Sequence, residues 1–215
     1  MVKAVIFDMD GVLVDTEVFY QNRRRRFMEE RGYFIPNINW MDFVGENFAS
    51  LWDRIEKYVD VDYQTLQEQY EAYKESHLLK YEETLIPEAI TLIKKLHQAG
   101  YQLAVASASS RKDIEAALDT MGVTNYFSSI LSGCDIERTK PDPMIYQMTL
   151  ENLSVQPNEA IVIEDSPVGI KAATGAGIYT IARRHPDYIL DQANSDIIAY
   201  NYDEIFDIIK EKTTV

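Results

Sequence analysis

The chain has 215 residues, 46% of them apolar and 26% charged, with a formal net charge of -14. That length supports one sizeable core, or one core with a smaller satellite, and the charged fraction is ordinary for a globular protein. The acidic balance argues against nucleic acid or an anionic membrane as the main partner. A metal and a few local cations can still draw an anionic small molecule into one cleft.

In chain order, an apolar run over 2–7 opens the chain and leads directly into Asp8. It shows neither a basic region with a long apolar core nor a small-residue cleavage site, so a cytoplasmic location is expected. The next stretch reads as helices over 16–31, 48–59 and 63–80, with a short piece at 40–44. Apolar runs then recur at 103–106, around 130–131, at 160–163 and 179–182, with a further strand at 196–198. Their continuous apolarity predicts strands covered on both faces, as in a parallel sheet.

Helical patterns over 88–99, 111–121, 143–153 and 167–176 separate these strands. Ser110 is placed to N-cap one helix, and Pro143 and Pro167 stand at first-turn positions of two others. Strand–helix alternation predicts an α/β sheet with helices on both faces. A single strand–helix–strand step takes roughly 30 residues, far fewer than separate the first two strands. An all-helical insertion accounts for the excess. No apolar stretch is long enough to span a membrane. Cys134 is the sole cysteine, so no intramolecular disulfide can form, and it reads as a small core filler. His77, His97 and His185 fit no metal spacing, and no catalytic role is expected of them.

The chemistry concentrates in four short motifs. In Phe7-Asp8-Met9-Asp10-Gly11 a strand ends in two carboxylates at i and i+2, which point to the same side. Two such charges need a cation between them or a proton on one of them. Glu164-Asp165 ends a second apolar run and repeats the demand, in a form that suits magnesium and its preference for oxygen ligands. Ser107 closes a third strand ahead of a helix N-terminus, where phosphate binds readily. Lys140, in Thr139-Lys140-Pro141-Asp142-Pro143, offers one fixed ammonium. A phosphate dianion beside four acids requires both the metal and that ammonium.

With these motifs in order the chain resembles the haloacid dehalogenase superfamily, and within it the branch of β-phosphoglucomutase and the small sugar-phosphate phosphatases. The residues that carry the likeness are Asp8-Met9-Asp10-Gly11-Val12-Leu13-Val14-Asp15-Thr16-Glu17, Ala106-Ser107-Ala108-Ser109, Lys140-Pro141-Asp142-Pro143, and Glu164-Asp165-Ser166 with Gly169-Ile170 and Ala172-Ala173. The resemblance implies a Rossmann-like, doubly wound parallel sheet built from residues 1–13 and 84–215, with an all-helical cap at 14–83. It implies Asp8 as nucleophile, forming an aspartyl-phosphate, and Asp10 as general acid and base. Mg²⁺ would be held by Asp8, the Asp10 carbonyl, Asp165 and, directly or through water, Glu164. Ser107, Ala108 and Lys140 would hold the phosphoryl group.

The implied partner is a phosphorylated small molecule, with no nucleic acid and no membrane, and the protein is expected to be a monomer. Asp10 speaks against the dehalogenases proper, whose halide leaving group needs no proton. The mutase branch carries a His where Tyr20 stands and an Arg early in the second cap helix, near Asn47 and Phe48 here, so hydrolysis is favoured over mutase chemistry. Tyr20 and Arg24, one helical turn apart on the first cap helix, are the candidate readers of the leaving group. Two rivals are a response-regulator phosphoacceptor domain and a non-catalytic binding protein. The first predicts half this length and no cap, and the second is at odds with intact catalytic motifs.

Overall fold

The structure is a computed structural model that describes residues 1–44 and 48–214. Two compact units are present, Met1–Asp15 with Thr84–Val215, and Thr16–Glu83. The strands are β1 Ala4–Phe7, β2 Gln102–Ser107, β3 Phe127–Ser132, β4 Ala160–Glu164, β5 Tyr179–Arg183 and β6 Ile197–Ala199. The α-helices are α1 Thr16–Glu30, α2 Phe48–Ile55, α3 Tyr63–Ser76, α4 Pro87–Gln98, α5 Arg111–Met121, α6 Met144–Leu153, α7 Pro167–Gly175 and α8 Tyr202–Thr214.

In the first unit the strands form one sheet in the order β3-β2-β1-β4-β5-β6, parallel throughout. β1 lies between β2 and β4, so all four of its residues are buried. Successive strand residues point to opposite faces. Ala4, Ile6, Ala104, Ala106, Ala160 and Val162 pack against Tyr146 and Leu150 of α6 and Ala172 of α7. The alternate residues Val5, Phe7, Leu103, Val105, Ile161 and Ile163 are fully buried on the other face. There α4 contacts β2, α5 contacts β3, and α8 packs on α4. Burial on both faces explains the continuous apolar runs. Strand order reverses at β1, so the crevice at the carboxyl ends of β1 and β4 is the topological switch point.

In the sheet unit three features depart from the sequence expectation. The helix α8 was not anticipated, although Tyr202, Ile205 and Ile209 are buried at helical spacing. Pro143 is the N-cap of α6 rather than a first-turn residue, and the Asp142 carboxylate accepts the Met144 amide. Cys134 is exposed, not a core filler. β3 ends at Ser132, whose hydroxyl accepts the Cys134 amide at 3.1 Å and turns the chain out of the sheet there.

The second unit is helical, with its own core of Phe27, Met28, Phe43, Leu51, Ile55, Leu66, Tyr70 and Tyr73. Gln21 of α1 is buried because its amide donates to the Phe43 carbonyl at 3.0 Å. The four consecutive arginines of α1 spread around the helix, as 3.6 residues per turn requires. Arg23 lies over the Phe19 and Tyr20 rings and donates to the His77 carbonyl. Arg25 pairs with Glu29 at 3.5 Å. The helix expected to reach residue 80 stops at Ser76, and the His77 ring stacks on Tyr73 at 3.7 Å. Asn47, where the mutase branch is expected to carry its arginine, lies outside the described residues. Among the described residues no helix is long and apolar enough to cross a membrane.

Candidate active site

The site forms where β1 and β4 end side by side. The Asp8 amide continues the ladder, donating to the Ile163 carbonyl at 3.0 Å. The chain then turns sharply, with the Leu13 amide on the Met9 carbonyl and the Gly11 amide on the Val14 carbonyl. Glycine is required at position 11 for two reasons. Its φ is +76°, and a Cβ there would stand 2.1 Å from Asp165 Oδ2. The turn after β1 and the carboxylate after β4 are therefore in direct apposition.

Lys140 joins the two strand ends. Its Nζ donates to Asp8 Oδ1 and Glu164 Oε1, each at 2.6 Å, and to the Ala106 carbonyl at 3.0 Å. An ammonium has three protons, and these acceptors match all of them. Burial works against this ammonium, but the charges of Asp8 and Glu164 outweigh it and hold its pKa well above the usual lysine value. Burial pushes the Asp8 carboxyl up to about 8; Lys140 opposes that rise, while Glu164 and Asp10 add to it.

Glu164 is fully buried and heavily bonded. Its Oε1 accepts from Lys140 and the Tyr146 hydroxyl, and its Oε2 from the amides of Asp165 and Ser166 and the Ser166 hydroxyl. Burial, reinforced by Glu164, keeps the Tyr146 phenol well above its ordinary pKa, so it remains a donor. Ser166 also N-caps α7 through the Gly169 amide. A Cβ at residue 169 would lie 1.6 Å from Glu164 Oε1.

Gly169→Ala is accordingly expected to displace Glu164 and break its pair with Lys140, costing about 3–5 kcal/mol. Gly175→Ala on the same helix is the control, since its Cβ meets Pro143 only at 3.6 Å. Urea unfolding of both variants checks this. Equal costs would disprove the packing of Glu164 on Gly169.

Ser107 is buried, with its hydroxyl accepting the Ser109 amide at 3.0 Å, and Ala108 beside it is exposed. The helix beyond begins only at Arg111, capped by Ser110 on the Asp113 amide. Ser109, unassigned from the sequence, donates its hydroxyl to Asp10 Oδ2 at 2.7 Å. The Ser-x-Ser spacing after β2 was the available signal. Asp8, Asp10, Ser107, Lys140, Glu164 and Asp165 thus gather at one end of the sheet. Tyr20 and Arg24 belong to the helical unit. Tyr20 meets Phe19 edge-on, and Arg24 donates to Gln21 Oε1 and the Phe43 carbonyl.

Oxygens of Asp8, Glu164 and Asp165 lie within 4.8 Å of one another, all on buried residues. With Asp10, four carboxylates gather there, two of them bonded by the Lys140 ammonium. An all-oxygen, strongly anionic cluster of this kind fits a hard divalent cation. Further polar residues, also missed from the sequence, reach the same loops. Arg183 donates to the Gly11 carbonyl, Tyr202 to the Val12 carbonyl, and Gln192 to the Asp165 carbonyl. The Asp187 amide donates to His185 Nδ1, which leaves the ring proton on Nε2, 3.0 Å from Asp15 Oδ2.

A doubly wound parallel sheet with acids and a buried lysine at its switch point defines the class of α/β fold that places its ligand crevice at the strand ends. The model of the family described as haloacid dehalogenase-like hydrolase matches residues 5–183, and the chain belongs to that family. Within it the chain is 32% identical over 186 residues to the phosphorylated carbohydrates phosphatase of Thermotoga maritima, covering 83% of each chain. It is 27% identical to the fructose-1-phosphate phosphatase YqaB of Escherichia coli, over 81% of this chain and 92% of that one. The solved structure of β-phosphoglucomutase from Clostridium difficile shares the fold, with a TM-score of 0.68, 23% identity, and coverage of 100% and 98%.

Proposed function

We propose that this protein is a Mg²⁺-dependent phosphatase that hydrolyses the monoester of a small phosphorylated metabolite, a sugar phosphate in the first instance, through an aspartyl-phosphate. The observation that carries this reading is the buried Lys140 bridging Asp8 and Glu164, with Asp10 two residues beyond Asp8 and hydrogen-bonded by Ser109. The substrates named for the phosphatases of Thermotoga maritima and Escherichia coli support the choice of a sugar phosphate.

Asp8 attacks phosphorus, and the bond to the leaving oxygen breaks as Asp10 gives that oxygen its proton. Water then attacks the aspartyl-phosphate while Asp10 takes back a proton, which returns Asp8 and releases inorganic phosphate. Asp8, Asp165 and the Asp10 carbonyl would hold Mg²⁺, with Glu164 acting through water because both its oxygens already serve donors from Lys140, Tyr146, Asp165 and Ser166. The ion supplies charge neutralisation at the transferring phosphoryl group. Phosphorylation of Asp8 removes the charge that Lys140 Nζ faces at Oδ1. The ammonium is then released toward the phosphoryl oxygens, where Ser107 and the Ala108 amide also donate. Tyr20 and Arg24 are our candidates for substrate choice, and the protein acts as a cytoplasmic monomer.

The test is phosphate release from a panel of sugar phosphates and one aryl phosphate, with Mg²⁺ and with EDTA, for wild type and Asp10→Asn. Release is expected only with Mg²⁺. Asp10→Asn should slow sugar phosphates by about 10²–10⁴-fold and the aryl phosphate less, since a good leaving group needs little protonation. Absence of Mg²⁺-dependent release across the panel overturns the proposal. Conversion of β-glucose 1-phosphate to glucose 6-phosphate, without net phosphate release, would make the enzyme a mutase.

A further inference from the structure

The strand β5 and the chain beyond it send polar side chains into both acid-bearing loops. Arg183, only 8% exposed, donates from Nη1 to the Gly11 carbonyl at 2.7 Å. Its guanidinium lies 5.4 Å from the Tyr202 ring, whose hydroxyl donates to the next carbonyl, Val12, at 2.5 Å. Gln192, 3% exposed, divides its amide hydrogens between the Asp165 carbonyl at 2.7 Å and the Arg183 carbonyl at 2.8 Å. A continuous path therefore runs from the turn that carries Asp10, through Arg183 and Gln192, to the backbone of Asp165.

Two details argue that this path does more than fill space. Gln192 Oε1 is buried without a hydrogen-bond partner in the structure, a cost that an apolar side chain of the same size would avoid. The residue is thus held for its two donors. The loops it links are also in contact, since the space a side chain at Gly11 would take is filled by the Asp165 carboxylate. A small slip between them would change the distance between the acids directly.

We propose that Arg183 and Gln192 are positioning residues, which fix the turn after β1 against the end of β4 and so set the separation of Asp10 and Asp165. Divalent-cation affinity and the aim of the Asp10 carboxyl depend on that separation. The inference rests on the metal-dependent reading given above.

Isothermal titration calorimetry of Mg²⁺ without substrate is the primary test, with melting temperature and steady-state kinetics at saturating Mg²⁺ alongside. Arg183→Met and Gln192→Leu are each expected to weaken Mg²⁺ binding by about 10–100-fold, the usual effect of losing a residue that orients a ligand. Their kcat should fall while KM changes little. Arg183→Lys should recover part of the affinity, because an ammonium can still donate to the Gly11 carbonyl. Gln192→Asn, which keeps both donors on a shorter stem, should shift affinity in the same direction as Gln192→Leu and guards against a variant that does not fold. Lowered melting temperatures with unchanged Mg²⁺ affinity and kcat would reduce both residues to structural ones and overturn the inference. A wild type that binds no Mg²⁺ would overturn the metal reading, and this inference with it.

Discussion

Asp8→Asn is expected to lower turnover below about 1% of wild type while the protein stays folded, because an amide oxygen is a poor nucleophile for phosphorus. The exchange is nearly isosteric, and the new side chain still offers an oxygen to Lys140. Burial pushes the native carboxyl up to about 8, so its charge is held at a cost in the metal-free protein. Stability should therefore be unchanged or slightly raised. Single-turnover assays on an aryl phosphate, with unfolding curves for both proteins, check the two halves together. A variant that keeps several per cent of kcat would remove Asp8 from the role of nucleophile.

Lys140→Met is expected to fail in both activity and stability. Its Nζ serves Asp8, Glu164 and the Ala106 carbonyl at once. Removing it leaves two buried carboxylates close together and a carbonyl without its donor. Breaking a buried ion pair from one side costs about 3–5 kcal/mol. Lys140→Arg is not expected to rescue the site, since a planar guanidinium cannot match three convergent acceptors around one nitrogen. Urea unfolding in EDTA isolates the protein's own contribution. A loss under about 1 kcal/mol would mean that the carboxylates take up protons instead and that the ammonium is not what holds them.

The sheet was legible because each central strand is covered on both faces, which leaves an unbroken apolar run such as Val5-Ile6-Phe7 or Ile161-Val162-Ile163. The acids were legible because they end such runs. Lys140 could be named only as one of a set, and its three acceptors come from the residue after β1 and from β2 and β4, distant in sequence. Ser109, Tyr146, Arg183 and Gln192 escaped notice for the same reason. Arg183 meets a carbonyl 172 positions away, and no local pattern in the chain marks such a contact. α8 escaped although its buried face has helical spacing, because Asp203, Glu204 and Asp207 dilute a short apolar stripe. Cys134 was misjudged because residue type predicts burial only on average, and the turn after β3 faces outward. In the helical unit, helix ends shifted by several residues where 3₁₀ turns such as Glu56–Tyr58 took over from α-helix.

The Asp15 amide donates to the Thr84 carbonyl at 2.7 Å, and Val14 bridges Leu85 in antiparallel fashion. The chain thus leaves and rejoins the sheet unit through neighbouring, hydrogen-bonded residues. Whatever lies between them is, to the sheet, a loop whose ends are held together by these bonds. Closing such a loop costs only about 0.6 kcal/mol more for each doubling of its length. The helical unit also carries a hydrophobic core of its own. Grafting a different insert between Asp15 and Thr84 should leave β1, its register with β2 and β4, and the acids at its tip as they are. Lengthening and replacement of the insert can proceed without a new sheet having to be built.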